Sequence, residues 1–240
     1  MPSKIVEVKN LNVIFGQHQV LDDLSFDVNK GEVLAIIGPN GAGKTVLFHA
    51  LIGLSRPTSG VINWKSNVKI GYVPQRFDIE VDLPLTTREF FYLKGGDVTD
   101  KKIKEFLDLV GIDHEALNKG ISQLSVGQRQ RVLVAWAVMN EPEILLFDEP
   151  TADIDIRGQQ SIYHLLHKIQ DQIGFAVILI SHDLSVVYKY ADQVLCLNSK
   201  RVCMGPPREV LSAEQLLELY GGEQTFYKHL EKSFHEDHHA

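Results

Sequence analysis

The stretch from Val33 to Ile52 constrains the fold more than any other part of this sequence. It opens with the apolar run Val33–Ile37, continues through the glycine-rich segment Gly38-Pro-Asn-Gly-Ala-Gly43-Lys44-Thr45, and closes with a helix-forming run that stops before Gly53. A continuous apolar run of this kind is typical of a strand buried on both faces. We therefore predict a strand, a tight loop and a helix from about Thr45 to Ile52, which is a unit of an α/β fold.

The loop between this strand and this helix matches the pattern G-x-x-x-x-G-K-[ST]. Its glycines allow backbone N–H groups to surround phosphate oxygens, and the helix directs its positive end at the same anion. The pattern assigns Lys44 to the β- and γ-phosphates of a nucleotide and the Thr45 hydroxyl to Mg²⁺. A strand-to-helix turn without a ligand is the alternative. The residues expected to bind nucleotide here are Gly38, Pro39, Asn40, Gly41, Ala42, Gly43, Lys44, Thr45 and Val46.

A second apolar run ends in two carboxylates. Glu143–Phe147 precedes Asp148 and Glu149, and ligands of open α/β sheets lie beyond the carboxyl ends of strands. We expect Asp148 to hold a water bound to Mg²⁺, and Glu149 to orient and deprotonate the attacking water. Combined with the phosphate-binding loop, this segment predicts hydrolysis of a nucleoside triphosphate.

Strand and helix patterns alternate at both ends of the chain, and a helical block interrupts the middle. The run Ile5–Phe26, broken at Gly16-Gln17-His18, predicts antiparallel strands. We predict an α/β core with an N-terminal antiparallel β subdomain and a helical insertion at about 76–138. One domain would span residues 1–221, and a C-terminal helix with a histidine-containing tail would span 222–240. Further predicted elements are strands at about 69–74 and 175–180 and a helix at about 156–172.

Composition excludes several classes of protein. The net charge of −7 disfavours contacts with the nucleic-acid backbone, so no nucleic-acid partner is expected. Cys196 and Cys203 fit neither a disulfide framework nor a common zinc spacing, which predicts reduced thiols in a cytosolic protein. No apolar run approaches the ~18 residues that span a bilayer, and Met1–Asn10 does not resemble a secretory signal.

Further segments carry a family resemblance. They occur in the order Tyr72-Val-Pro-Gln75, Leu124-Ser125-Val126-Gly127-Gln128, Ala152-Asp153-Ile154-Asp155 and Ser181-His182-Asp183. With the phosphate-binding loop and the acidic strand end, they resemble the Q-loop, the LSGGQ signature, the D-loop and the switch histidine of ATP-binding cassette (ABC) ATPases. The resemblance covers nearly all of residues 5–221. It implies a P-loop nucleotide triphosphatase core of the ABC ATPase type, using ATP and Mg²⁺.

The resemblance also implies roles for single residues. Phe15 would stack on adenine, His182 would contact the γ-phosphate, and Gln75 would help Thr45 and Asp148 to hold Mg²⁺. The expected catalytic residues are Lys44, Gln75, Glu149 and His182. Further residues expected to bind nucleotide are Ser125, Gly127, Gln128 and Asp155.

Several of these residues have simpler interpretations when each is taken alone. Phe15 could belong to the core, Gln75 could be a polar strand end, His182 a satisfied turn histidine, and Ser125 a plain helix N-cap. Val126 stands where the family usually has glycine. Because a β-branched residue disfavours positive φ, we expect this departure to lower activity without abolishing it.

In the family that this chain resembles, two copies pair head to tail around two ATP molecules. Ser125 and Gly127 would then act on the nucleotide bound by the partner, and hydrolysis would open the dimer. The implied partners are a second copy, integral permease subunits gripped by the helical insertion, and an extracytoplasmic metal-binding protein. The implied location is peripheral, at the cytoplasmic face of the inner membrane.

The transported species is predicted from resemblance alone. Gly71–Arg76 with Leu83–Thr87 resembles metal-importer ATPases, and Val194–Asn198 with Val202–Gly205 is similar to the zinc-uptake branch. We therefore expect a bacterial zinc importer. A manganese or iron importer, and a non-transport ABC ATPase such as an iron–sulfur assembly factor, are the alternatives. The terminal histidines are either zinc ligands or part of a polar terminus, and they are His235, His238 and His239.

Overall fold

The computed structural model describes residues 3–75, 85–149, 156–198 and 201–220. Two compact units are present, the first from Met1–Lys65 with Ile178–Ala240 and the second from Ser66–Val177. No helix among the described residues combines the length and the apolar character that crossing a bilayer requires.

The elements, in chain order, are strands β1 (Lys4–Phe15), β2 (His18–Asn29) and β3 (Val33–Ile37), helix α1 (Lys44–Leu51), strands β4 (Ser59–Trp64) and β5 (Ile70–Val73), helices α2 (Thr87–Tyr92), α3 (Asp100–Leu109) and α4 (Val126–Val138), strand β6 (Ile144–Asp148), helix α5 (Ile156–Ile173), strand β7 (Ala176–Ile180), helix α6 (Leu184–Tyr190), strands β8 (Gln193–Asn198) and β9 (Arg201–Gly205), and helices α7 (Pro207–Val210) and α8 (Ala213–Tyr220).

The first unit contains the predicted antiparallel sheet, in the order β2-β1-β4. Strands β1 and β2 form a hairpin in which Phe15 pairs with His18 across the turn at Gly16. Val6, Val8, Leu11 and Val13 of β1 are buried. One face of this sheet therefore packs into the core, as the prediction of an N-terminal antiparallel sheet requires.

The same unit holds a second group of strands. Every residue of β3 is buried, and β3 pairs in parallel with β8, which pairs in antiparallel fashion with β9. On the other side of β3, the backbone N–H of Ser181, directly after β7, donates to the Ile36 carbonyl at 3.3 Å. Helices α7 and α8 cover β3 and β8 with Val210, Leu211, Leu216 and Leu219. The fully apolar sequence of β3 follows from this burial on both faces.

The prediction of reduced cysteines is wrong. Cys196 on β8 and Cys203 on β9 form a disulfide. The antiparallel register places the two residues directly opposite each other, with their Cα atoms 4.9 Å apart, which lies within the range that a disulfide bridges. The spacing along the chain did not indicate this pairing, because only the hairpin brings the two side chains together.

The second unit contains β5 and β6, which pair in parallel. The N–H of Ala176, at the start of β7, donates to the Glu143 carbonyl at 2.9 Å, just before β6 begins. Thr86 and Glu89 form a capping box that starts α2. The helical character expected after Thr86 is confirmed by α2, α3 and α4. Short 3₁₀ helices separate α3 from α4, at His114–Asn118 and Ile121–Gln123.

Candidate active site

The glycine-rich loop joins β3 to α1 in the first unit. Gly43 has φ 93° and is the N-cap of α1, without a side-chain hydrogen bond to the helix. A Cβ at Gly43 would lie 2.9 Å from both Val20 Cγ1 and Leu21 Cδ2, so only glycine fits. The first N–H groups of α1 are thus not capped by this residue, and uncapped N–H groups at a helix start favour an anion.

Lys44 folds its side chain back over this loop. It is only 6% exposed, and its Nζ donates to the carbonyl oxygens of Gly38 at 2.9 Å and Pro39 at 3.1 Å. The geometry therefore holds a cation inside the loop that the sequence predicts to bind phosphate oxygens.

The remaining residues predicted in the first unit differ in exposure. Ala42 and Gly43 are buried, Pro39 and Val46 are half-buried, and Asn40, Gly41 and Thr45 are exposed. His182 is half-buried and follows β7. Phe15, at the end of β1, is 54% exposed, so the alternative in which it belongs to the core is wrong. Its ring is accessible to a planar ligand.

In the second unit, two strand ends bring the predicted catalytic side chains together. Because β5 and β6 are parallel and Val73 pairs with Phe147, Gln75 and Glu149 leave the same edge of the sheet. Gln75 Nε2 donates to Glu149 Oε2 at 2.9 Å. Glu149 has φ 36°, a left-handed conformation that costs about 1–3 kcal/mol for a residue other than glycine. Such strain is typical of functional sites, and here it orients the carboxylate that the sequence predicts to be catalytic.

Asp148, the residue before Glu149, is 2% exposed. Burial, together with a smaller effect of the nearby Asp148 carboxylate, raises the pKa of Tyr72 to about 12. Tyr72 therefore stays protonated at neutral pH beside a carboxylate. Sequence reasoning missed this neighbour, although the position of Tyr72 on the strand that leads to Gln75 was the available signal.

The signature segment begins α4. Ser125 is its N-cap, and its hydroxyl accepts a hydrogen bond from the Gln128 N–H at 3.2 Å, while Gln128 Oε1 accepts one from the Ser125 N–H at 3.1 Å. The interpretation of Ser125 as a helix N-cap is therefore confirmed, and it is compatible with anion binding at the same helix end.

Val126 is the first residue of α4 and has no positive φ. The expected backbone conflict with a β-branched side chain therefore does not arise. The side chain is 45% exposed. At Gly127, an added Cβ would meet no atom of the described residues within 4 Å. Packing within this part of the chain does not explain why Gly127 is glycine.

Three of the predictions concern residues outside the described ranges. They are the role of Asp155, the C-terminal helix at 222–240 and the terminal histidines. In the part of the chain that the structure describes, no three His, Cys, Asp or Glu side chains cluster in a way that could hold a metal ion.

Comparison with known proteins identifies the family. A model of the ABC transporter family matches residues 21–152. The zinc import ATP-binding protein ZnuC of Haemophilus influenzae is 37% identical over 94% of this chain and 85% of its own length. ZnuC of Photorhabdus laumondii is 39% identical over 91% of this chain and 84% of its own.

Solved structures of ABC transporter proteins also resemble this chain. A protein assigned as a metal-chelate type ABC transporter, in an inward-facing conformation, aligns with a TM-score of 0.81 and 29% identity over 90% of this chain and 88% of its own. The cbiO1 protein of Clostridium perfringens, part of the ABC transporter complex cbiONQ, aligns with a TM-score of 0.75 and 28% identity, over 96% of this chain and 99% of its own. The predicted fold is confirmed, and the chain belongs to the ABC transporter family as an ATP-binding, ATP-hydrolysing member.

Proposed function

We propose that this chain is the ATPase subunit of a bacterial importer that takes up zinc. One observation carries the proposal. The chain has the ABC motifs in the order of the family, and it is 37–39% identical to ZnuC proteins over most of its own length and most of theirs. The relatives favour zinc over manganese or iron, and they favour transport over iron–sulfur assembly.

ATP binding is assigned to the glycine-rich loop and the start of α1. Backbone N–H groups of residues 38–46, other than that of Pro39, which has none, donate to the phosphates. Lys44 transfers its hydrogen bonds from the Gly38 and Pro39 carbonyls to phosphate oxygens. Phe15, exposed at the end of β1, stacks on the adenine. These contacts fix the γ-phosphate for attack.

Hydrolysis is assigned to Glu149. Its carboxylate accepts the proton of the attacking water as the oxygen–phosphorus bond forms, and ADP leaves with the bridging oxygen. The 2.9 Å hydrogen bond from Gln75 to Glu149 Oε2 holds the carboxylate in place for this proton transfer. His182 contacts the γ-phosphate and stabilises the charge that develops there.

The residues present fit Mg²⁺. Thr45, Gln75 and Asp148 offer a hydroxyl, an amide carbonyl and a carboxylate, which are the hard oxygen donors that this ion prefers. Gln75 donates through Nε2 to Glu149, so its amide carbonyl oxygen would be the atom that holds the ion. When bound, Mg²⁺ neutralises part of the phosphate charge.

We infer a head-to-tail homodimer in which each signature helix acts on the partner's ATP. The start of α4 is accessible, and Gly127 has space around it that packing within the described chain does not use. A phosphate of the partner's nucleotide would use that space. Asp155 and Gln128 are assigned to the same interface.

The membrane partners are permease subunits, with an extracytoplasmic metal-binding protein delivering zinc to them. In the second unit, Leu93 is 69% exposed directly after α2, next to the partly exposed Tyr92. These apolar side chains suit a short helix of a permease. The proposed location of the chain, bound to these permease subunits, is the cytoplasmic face of the inner membrane.

A growth experiment tests the proposed cargo. Deleting the gene should impair growth under zinc chelation, and added zinc should restore growth better than manganese or iron. Complementation with the wild-type gene should succeed, and complementation with Glu149→Gln should fail. Rescue by manganese alone would overturn the zinc assignment and leave the ATPase assignment intact.

A further inference from the structure

We propose that Cys196 and Cys203 form a reversible dithiol–disulfide couple whose oxidation state sets the affinity of the neighbouring loop for ATP. The inference rests on the nucleotide-binding role and the location proposed above. It adds a redox modification site to a segment that the ATPase mechanism does not use.

The hairpin positions the two sulfurs for reversible bonding. Cys196 and Cys203 are directly paired in the β8–β9 ladder, flanked by the pairs Leu195–Met204 and Leu197–Val202. Their backbones are therefore held in register by the ladder itself. Because the ladder does not depend on the covalent bond, the two thiols stay adjacent after reduction and can re-form the disulfide.

Burial differs between the two cysteines, which sets the direction of attack. Cys196 is buried in the core cluster with Ile37, whereas Cys203 is only partly buried. Cys203 lies on β9, the outermost strand of its sheet in the described chain. A thiolate from solution therefore reaches the Cys203 sulfur first, since exchange requires access to the attacked sulfur.

The disulfide is one residue away from the nucleotide-binding loop. Cys196 pairs with Ile37, the last residue of β3. The next residues of the two strands approach so closely that a Cβ on Gly38 would lie 2.0 Å from the Leu197 carbonyl oxygen. Any displacement of the end of β8 is therefore transmitted to Gly38, where the loop begins and where Lys44 is hydrogen-bonded.

The proposed location favours a reversible bond over a permanent one. Disulfides on the cytosolic side of a membrane are exposed to reducing thiols, and those that occur there are mostly transient or redox-sensing. A pair that forms on oxidation and opens on reduction fits this environment.

The exchange step balances with a low-molecular-weight thiol as the reductant. Its thiolate bonds to the Cys203 sulfur and expels the Cys196 sulfur, which takes up a proton. A second thiolate attacks the small-molecule sulfur of this mixed disulfide, releasing the Cys203 thiolate, which takes up a proton. Two thiols thus become one low-molecular-weight disulfide as the protein gains two electrons and two protons, and oxidation is the reverse.

The test compares the full chain after incubation with oxidised glutathione and after incubation with dithiothreitol. Acid quenching, followed by alkylation of the unfolded chain and mass spectrometry, counts all free thiols, including that of the buried Cys196. Thermal unfolding gives Tm, and titration with a non-hydrolysable ATP analogue gives Kd. We expect no alkylated cysteine in the oxidised chain and two in the reduced chain. Reduction should lower Tm by roughly 5–10 °C, because it removes a cross-link. Kd should rise by about threefold or more, and reoxidation should reverse both changes.

A matched pair of variants isolates the disulfide. Cys203→Ser replaces the partly buried cysteine and should give a chain whose Tm and Kd no longer respond to either reagent. Met204→Ser, on the same strand, should retain the full response. The comparison of the two redox states of the wild-type chain decides the question even where Cys203→Ser does not fold.

Two results would overturn the inference alone. One is alkylation of both cysteines after the oxidising incubation, and the other is equal Kd in both states after complete reduction. Failure of the analogue to bind in either state would overturn the proposed function and the inference with it.

Discussion

At the scale of single residues, the proposed chemistry depends on Glu149, the carboxylate directly after β6. Glu149 is aimed by a left-handed backbone and by the hydrogen bond from Gln75. The Tyr72 hydroxyl remains protonated beside Asp148, since its pKa is raised to about 12.

We expect Glu149→Gln to bind ATP normally and to hydrolyse it slower by on the order of 10²–10⁴-fold, because an amide cannot accept the proton of water. The amide carbonyl can still accept from Gln75, so the local fold should persist. Phosphate release measures hydrolysis, and gel filtration with ATP should show an accumulated dimer. Normal turnover would remove Glu149 from its assigned role.

Two substitutions at neighbouring residues test the signature. Val126→Gly removes an exposed side chain from the first turn of α4 and should raise ATPase activity, or at least not lower it, since the partner's phosphate could approach more closely. Reduced activity of Val126→Gly at unchanged Tm would contradict this account.

Gly127→Ala should leave Tm unchanged, because its Cβ has space in the described chain, yet it should lower ATPase activity.

At the scale of elements, helices α1 and α4 start in opposite ways. Gly43 leaves the start of α1 without a side-chain cap, whereas Ser125 and Gln128 form a capping box at α4. The first arrangement offers more N–H groups to an anion than the second. This contrast fits a helix that holds its own phosphates tightly and one that meets a partner's phosphate on assembly.

The packing of α2 against α4 includes an unusual cation. Lys94 follows α2, and its Nζ lies 4.0 Å from the centroid of the Trp136 ring and donates to the Trp136 carbonyl. Burial, together with a smaller effect of the nearby Lys102 charge, lowers the pKa of Lys94 to about 8. The folded chain therefore releases this proton at a lower pH than the unfolded chain does.

The sign of the resulting pH dependence follows from linkage. Between about pH 8 and the ordinary lysine pKa of 10.5, the unfolded chain binds more protons, so the free energy of unfolding rises with pH. Denaturant titrations should show wild type gaining stability relative to Lys94→Met across this window, with a constant difference below it. Lys101→Met, at an exposed position on α3, is the control and should show no such trend. A flat difference for Lys94→Met would refute the lowered pKa.

At the scale of the whole molecule, the proposed head-to-tail dimer would build each ATP site from the nucleotide-binding loop of one copy and the signature segment of the other. We expect a mixture of Ser125→Arg chains and Lys44→Ala chains to hydrolyse ATP faster than either variant alone. In a head-to-tail dimer both lesions fall in one site, which leaves the other intact. Phosphate release measures activity, and differently tagged chains show that mixed dimers form.

The control for this mixture is the double variant Ser125→Arg, Lys44→Ala combined with wild-type chains. Each site of that mixed dimer carries one lesion, so it should be inactive. If mixed dimers form and the first mixture does not exceed either variant alone, the sites are not composite.

Sequence alone determined whatever depends on consecutive residues. The apolar run of β3, the glycines after it and the helix that follows are neighbours in the chain, so their order already specified a strand, a phosphate-binding loop and a helix. The same holds for β6 and its terminal carboxylates. The alternation of strands and helices was equally local, and the predicted strands and helices that fall on described residues match the structure to within three residues. The predicted limits of the helical insertion and of the domain stay a prediction.

Tertiary structure decided whatever depends on register and burial. Gln75 meets Glu149 because β5 and β6 pair in parallel at one particular offset. Cys196 meets Cys203 because β8 and β9 pair in antiparallel fashion, and composition had pointed the other way. The pKa of Lys94 falls because packing removes its ammonium from water. Local patterns carry no record of these contacts, since the free energy that selects a register comes from residues far apart in the chain.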